Sequence, residues 1–595
     1  MPNSPELNSS SRTMTIVAQM FRVLLPVQIL ATATSSLSSI INGILIGNLL
    51  EPAALVALGF VVPLNAMIGA ISTVISAGSR VLCGTYKGRG ESKKIDHAFS
   101  LSIVMAAVTG AVLTVIALCF SAPLAKLFGA AGETTAETAL YIRGLSFGFI
   151  PSLMIPSLMV FLQTGNDSNY SLYSTLVLAV SGLLFSVLSI TVFHAGVFGM
   201  GFAASLSQYV AALFLLARFR TKSGLMHFDK TGISKKLALN ILRIGSPTAL
   251  AALLYALRNT FLNSIALKTG GTLAVSSLAI LNSIGGIFDA VNVGVGSVML
   301  MLASVFIGER DYESMRLLAK YTLKAGLILG FAKTLILAVF GKWIAALFGA
   351  EGELIRESYM LMLWYGINMP VNMVLMIFVQ PYQALGRVRF LNILYLFGAL
   401  IIPVGFCLLF SPVLGTAAIW LCYLVADAAC IVIFTVNSIL KRKHLPKTLS
   451  DLLLIDDDFS KGVKLNISVH STEEVTNVSE RLVDFCMKNG VGSRESMICG
   501  LCMEEMAVNI IEHGFPKSKR PDNEIDLFVS FDGEQLVMRI RDNAKEFDPH
   551  VKLRNGSAED IGRNVGIKLV SKIATEMNYQ SCYGMNVLTI SVAVK

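Results

Sequence analysis

The sequence predicts a polytopic α-helical membrane protein of about twelve transmembrane helices, built as two six-helix repeats and followed by a C-terminal α/β two-layer sandwich. Three observations carry this. Of 595 residues, 54% are hydrophobic and only 15% charged, with mean hydropathy +0.66, whereas soluble proteins are about 25% charged. Apolar segments follow one another from Met14 to Leu440, each near the roughly 20 residues that cross a bilayer. After "KRKHLPK" the texture changes, and no later segment is long and apolar enough to span.

The opening "MPNSPELNSSSRTMT" is polar and lacks a signal-peptide pattern, so residues 1–15 read as a cytosolic tail. The expected spans are 16–48, 53–79, 98–121, 139–163, 170–193 and 198–217 in a first bundle (16–222). In a second bundle (223–445) they are 238–267, 273–305, 317–341, 357–380, 390–410 and 414–440. Basic residues crowd alternate loops: Arg80 to Lys94, Arg218 to Lys236, Arg310 with Arg316, Arg387 with Arg389, and Lys441 to Lys447. The intervening loops are poor in Lys and Arg. The positive-inside rule then makes the basic loops and both termini cytosolic. The formal net charge of +9 is explained by this placement, which is not a phosphate-binding stripe, so nucleic acid is not an expected partner.

Internal duplication is visible by eye. "LFGAAGE" at Leu127–Glu133 returns as "LFGAEGE" at Leu347–Glu353. "GSRVLCGTYKGRGE" from Gly78 is echoed by "GSVMLMLASVFIGER" from Gly296, and "FLQTGN" from Phe161 by "PYQALG" from Pro381. An even number of spans per copy keeps both copies in the same orientation, an architecture that puts the substrate path at the repeat interface.

The two six-span halves, "INGILIGNLLEPAALVALGFVVP" and the Gly-rich loops after the second and eighth spans resemble the multidrug and toxic compound extrusion (MATE) family over roughly residues 15–440. That resemblance implies a V-shaped pair of bundles in a bacterial inner membrane, alternating access, and export of small organic solutes driven by Na⁺ or H⁺. Many members carry an Asp in the first span. The matching position here is Asn42, which does not titrate near neutral pH. A Na⁺ site using Asn and carbonyl oxygens, or coupling elsewhere, stays open.

Ionisable residues inside spans usually face a cavity or a partner. Arg258, Asp289, Lys333 and Asp427 are such residues. Asn292 follows Asp289 at i+3, on the same helix face. The functional reading of Asp289 is coupling or substrate binding, and the bland one is an ion pair with Arg258. Lys333 reads as snorkelling from near an interface. Gln163 and Gln383, equivalent in the repeats, read as packing or loop hydrogen bonders.

Residues 446–462 form an acidic linker, and 463–595 suffice for one domain. Its pattern is strand, helix, helix, strand, strand, loop, helix, strand, strand. "VKLNISV" alternates, "EIDLFVSF" and "QLVMRIRDN" flank a "DGE" turn, "NVGIKLVSKIATEMN" is amphipathic, and two strands close the chain around Gly584. In "MEEMAVNIIEHGF", Glu505, Asn509 and His513 are spaced by four on one helix face. An Asn carbonyl can bind Mg²⁺, and a Glu can act as a base. His513 reads as a helix C-terminal residue at the dipole. Asp542 follows at a strand end, and Gly562 and Gly566 near a helix start, where backbone N–H groups meet phosphate. Cys499 and Cys502 share C-x-x-C spacing without a second pair and read as small packing residues.

This ordered set is similar to the GHKL type of ATPase domain, most closely the anti-sigma-factor serine kinases. The resemblance implies ATP and Mg²⁺ as ligands. Glu505 becomes the general base and Asn509 the Mg²⁺ ligand, with Asp542 at the adenine, Gly562 and Gly566 in the phosphate lid, and Asn543 also among the ATP-binding residues. It also implies a partner of the STAS-type anti-sigma-antagonist kind. The family's D-x-G-x-G reads D-N-A-K-E here, with Ala544 and Glu546 replacing both glycines. No P-loop occurs in the chain, so ATP is not expected to drive transport directly. Two other readings stand beside the exporter: a receptor that has lost transport and signals through the domain, and a lipid-linked sugar flippase.

Overall fold

The structure, a computed structural model, describes residues 6–49, 52–165, 167–221, 226–455, 463–469, 471–518, 523–531, 533, 535–545, 548 and 565–594. The membrane part consists of α1 (Glu6–Leu49), α2 (Pro52–Gly88), α3 (Ser92–Cys119), α4 (Ser121–Leu127), α5 (Glu133–Ser146), α6 (Phe149–Thr164), α7 (Asn169–Thr191) and α8 (Gly196–Thr221). These are followed by α9 (Lys235–Glu309), α10 (Tyr312–Leu347), α11 (Glu353–Ala384), α12 (Val388–Tyr395), α13 (Ile402–Leu414) and α14 (Ala417–Arg442). Among the described residues ten helices are long and apolar enough to cross a bilayer, or eleven counting the pair Thr134–Ser146 and Phe149–Thr164, bent by 45°, as one span.

The longest of them, α9, is two spans joined. Its helical path breaks at Gly271 (φ 61°, ψ −151°), a left-handed conformation that suits glycine. Both ends of α9 then meet the same stretch of α2, so the chain turns back at Gly271. A Cβ on Gly245 would lie 1.9 Å from the Val74 carbonyl oxygen and one on Gly78 2.0 Å from that of Ile241, while one on Gly308 would lie 2.2 Å from that of Thr85. Small residues allow this backbone contact, which lipid-embedded helices use in place of hydrophobic burial. Counting α9 twice gives the twelve spans expected.

The repeat carries into the backbone at its clearest motif. Gly129 and Gly349 have φ 102° and 78°, Gly132 and Gly352 have φ 59° and 54°, and α5 and α11 begin one residue after the second glycine of each pair. Val112 and Leu335, on α3 and α10, are among the large apolar side chains left exposed, as lipid contact requires.

After a short α15 (Leu449–Leu453), the C-terminal domain contains β1 (Val463–Val469), α16 (Thr472–Lys488), α17 (Ser493–Asn509), β2 (Ile525–Phe531), β3 (Gln535–Asp542), α18 (Val565–Ile573), β4 (Glu576–Cys582) and β5 (Met585–Ala593). The sheet runs β1-β2-β3-β5-β4 and every neighbouring pair is antiparallel. Inward residues alternate, as in Leu527, Val529, Met538, Ile540, Leu588 and Ile590, and pack against Leu482, Met503 and Val570 of the helices. Cys499 and Cys502 are buried in that core. One expectation is corrected: "ATEMN" is not helix. α18 ends at Ile573, and Glu576–Asn578 pair with Ser591–Thr589. Ladder bonds along β5 outweigh a weak local helix preference.

The opposite sheet face rests on the membrane part. The basic loops of the sequence gather at this end. The α2–α3 loop meets β4, the α9–α10 loop meets β3, and Arg387, after α11, donates to the Leu453 and Leu454 carbonyls at 3.0 and 2.7 Å.

Candidate functional site

Between the two halves lies a cavity of about 770 Å³, with Thr73, Ser76 and Arg80 of α2 on one wall and α9, α11 and α14 supplying most of the rest. Its polar lining is a connected network. The Asn368 and Asn372 amides donate to Asp427 Oδ2 at 2.8 and 2.9 Å. Asn372 Oδ1 accepts from Asn292 at 3.0 Å, and Asn292 Oδ1 accepts from the Lys333 ammonium. Asp289 Oδ1 accepts from the Tyr365 hydroxyl at 2.8 Å and from Asn292 at 3.4 Å. Arg258 stacks between the rings of Tyr255 and Tyr423, 4.9 and 4.8 Å from their centroids.

The structure thus brings Asp289, Asn292, Asp427 and Arg258 to one cavity. Two readings are corrected. Lys333 does not snorkel. It is 5% exposed and turned inward, where the Asn292 oxygen and the Phe288 carbonyl (3.5 Å) compensate its burial. Arg258 makes no ion pair with Asp289, because the two aromatic faces take its guanidinium. Tyr365, Asn368 and Asn372 were missed. Their signal was present in "YGINMPVNM", where two Asn residues four apart in an apolar span mark one polar face. Asn42 lies on α1, with its side chain outside the described residues. Gln163 donates to Ser171 at 2.9 Å and Gln383 to the Ile244 carbonyl at 3.1 Å, packing roles as read from the sequence.

In the domain, a cavity of about 20 Å³ is bordered by Asn509, Asp542, Ala544, Lys545 and Tyr579. Asp542 Oδ1 accepts from Asn586 Nδ2 at 2.8 Å and from the Ala544 N–H at 2.9 Å. Burial pushes its carboxyl up to about 6, against the pull of those two donors. Asn509 Nδ2 donates to the Glu505 carbonyl at 2.6 Å, which uses the amide nitrogen and leaves the side-chain oxygen, the atom that binds Mg²⁺. A carboxylate suited to an exocyclic amine and an amide oxygen suited to Mg²⁺ therefore share one cavity, a donor set that fits a purine nucleotide. Glu505, one turn earlier on α17, does not border it. Asn543 is turned to the other face of the sheet, where it accepts from the Glu524 N–H at 2.9 Å and donates to Gln19 of α1 at 3.2 Å. Gly566 is in the first turn of α18, while Gly562 and Glu546 lie outside the described residues. Tyr579 and Asn586 had no signal in the sequence.

A duplicated helical bundle with a polar cavity between its halves, carrying an ATPase-type sandwich, defines a membrane transporter with a fused nucleotide-type module. The MatE family profile matches residues 28–188 and again 247–409, more than half of the chain, and the chain belongs to that family. Residues 469–592 match the histidine kinase-like ATPase domain. Among curated relatives, the multidrug export protein MepA of Staphylococcus saprophyticus is 22% identical over 70% of this chain and 93% of its own length. That of Staphylococcus haemolyticus is 24% identical over 69% and 92%. Among solved structures, an outward-facing multidrug resistance MATE transporter of the MOP superfamily matches with TM-score 0.66 at 20% identity, over 70% of this chain and 93% of that one. A MATE structure in a bent conformation matches with TM-score 0.68 at 18% identity, over 76% and 99%. The shared fold and the apolar helices make this a multi-pass membrane protein.

Proposed function

We propose that the chain exports small organic solutes across the cytoplasmic membrane in exchange for Na⁺ or H⁺, with the histidine kinase-like domain in the cytosol as a nucleotide-dependent regulator. The observation that carries the transport reading is the network joining Asn292, Asn372 and Asp427, with Asp289 beside it, on the wall of a cavity of about 770 Å³, with Lys333 bonded to Asn292. Such a volume suits a drug-sized solute. Buried carboxylates in a span are costly unless they serve an ion or substrate path. The relatives' names, multidrug export proteins, support the solute class. The basic loops gathered at the domain's end support a cytosolic placement of the domain and both termini.

The test is efflux of a cationic dye from proteoliposomes under an imposed Na⁺ or pH gradient, for the native chain and for Asp289→Asn and Asp427→Asn. Gradient-dependent efflux, reduced at least tenfold in one variant, is expected. Efflux indifferent to both gradients would overturn the antiport reading.

A further inference from the structure

The domain's sheet touches both halves of the transporter, and it does so at the loops that the internal repeat makes equivalent. On the first half, Arg539 Nη2 donates to the Gly88 carbonyl at 3.0 Å, the Asn578 amide donates to the Gly90 carbonyl, and Lys87 Nζ donates to the Ser581 carbonyl at 2.9 Å. On the second half, Arg539 Nη1 donates to the Glu309 carbonyl at 3.2 Å, and Arg541 pairs with Glu309 and with Asp311 at 2.6 Å. One hydrogen-bonded sheet therefore spans the two halves at the end where α2 and α9 are already in backbone contact. The halves cannot part at that end while the sheet holds both.

The same strands border the nucleotide cavity from their other face. Successive side chains of a strand point to opposite sides. On β3, Arg539 and Arg541 face the transporter while Asp542 faces the cavity. On β4, Asn578 faces the transporter and Tyr579 the cavity, where its hydroxyl donates to Asn586 Oδ1 at 2.9 Å. Asn586 in turn holds Asp542. The cavity, about 20 Å³, has room on the order of one water, and a small-molecule site needs roughly 300 Å³ or more. Asp542 and Tyr579 are part of the wall that a nucleotide must widen on entering, and a shift of that wall would carry the strands whose outer faces grip the transporter. The two grips are unequal. The second half is held by buried ion pairs. The β4 side of the first half is held without an ion pair, by the Asn578 amide and by the Lys87 ammonium on the Ser581 carbonyl, and a charged donor on a neutral carbonyl is weaker than a buried pair of opposite charges.

We propose that the sheet is a nucleotide-released clamp. With the cavity empty it fastens the two halves together at the domain end, and a purine nucleotide entering between Asp542 and Tyr579 loosens the β4 grip on the α2–α3 loop. This rests on the nucleotide reading of that cavity. Linkage is reciprocal, so weakening the grip favours nucleotide binding, although the grip residues point away from the cavity.

The test uses the full chain in lipid nanodiscs with Mg²⁺-ADP and Mg²⁺-ATP. Affinity is measured for the native protein and for a double variant, Asn578→Ala with Gln580→Ala (the Gln580 amide lies 3.5 Å from the Ser92 hydroxyl of α3), and amide hydrogen exchange is followed at residues 86–94. The clamp predicts that the double variant binds nucleotide more tightly, by roughly tenfold. It also predicts that nucleotide speeds exchange at 86–94 in the native chain, a readout that does not depend on the variant's folding. Native binding with unchanged affinity in the variant and unchanged exchange would sink the clamp and leave the nucleotide site standing. Absence of binding in both proteins at millimolar nucleotide would remove the nucleotide reading, and the clamp with it.

Discussion

Arg541 is the residue whose loss should separate the domain from the transporter. Its side chain is 1% exposed and meets three carboxylates that are 0–2% exposed: Glu309, Asp311 at 2.6 Å and Asp526 at 3.4 Å, with Ser314 Oγ accepting at 3.1 Å. Arg541→Ala removes the guanidinium from Asp311 and Asp526, while Glu309 keeps Arg539 at 3.7 Å. Removing one partner of a buried pair costs about 3–5 kcal/mol. Part of that is recovered here. Burial, with the neighbouring acids, has already raised Asp526 to about 7 despite Arg541, so it takes a proton readily. Asp311 has less relief. Burial would raise it, but Arg541 and Ser314 hold it below the usual carboxylate range, so it loses most when the guanidinium goes. Taking about 3 kcal/mol, undocking becomes more frequent by roughly a hundredfold. Hydrogen exchange in nanodiscs at residues 86–92, 310–316 and 525–542 should register this, with the domain's helices unchanged. Arg541→Lys keeps the charge without the planar fork and should fall between. Protection within threefold of native in Arg541→Ala would refute the argument, because the desolvated Asp311 and Asp526 cannot be indifferent to losing their guanidinium.

Further expectations follow from the same geometry. Asp526, raised to about 7 from an ordinary 3.8, binds its proton more tightly folded than unfolded. Its stabilising contribution is therefore present below about pH 4 and lost as pH rises through 7, amounting to roughly 1 kcal/mol between pH 6 and 8. Denaturation across that range should show the decline, and Asp526→Asn should flatten it. Gly245→Val puts a Cβ where the Val74 carbonyl oxygen is 1.9 Å away. It should destabilise the chain by about 1–3 kcal/mol in detergent unfolding, whereas Gly59→Ala, with nothing within 4 Å of its Cβ, should be near neutral. Asn372→Ala removes one of two amide donors from Asp427 and its link to Asn292. Leaving a buried acceptor short costs about 1–3 kcal/mol, so dye efflux should fall about tenfold without loss of folded protein.

Much of this was legible because it is local. Apolar length set the spans, and the recurrence of "LFGAAGE" as "LFGAEGE" set the duplication; the positive φ at Gly132 and Gly352 is its backbone counterpart. Alternation in "VKLNISV" and "QLVMRIRDN" set the strands of the domain. Individual polar residues were less legible. Asp289 and Asp427 stand out in an apolar helix, but nothing local says that Asn372 joins them through Asn292. Lys333 was misplaced because hydropathy shows that a lysine is in a span and not which way it faces.

The class of protein, the order of its elements and the apolar face of each strand follow from periodicity and length, which are properties of adjacent residues. What covers the polar face depends on contacts between distant parts of the chain. Arg539 and Arg541 stand on the polar side of an alternating strand, the side opposite Met538 and Ile540. Folding sets them against Glu309, 230 positions earlier, and Gly88, 451 positions earlier. Contacts at such separations leave no mark in local pattern. They arise from docking a finished sheet onto finished helices, where a buried charge must find its counter-charge wherever the chain has brought one.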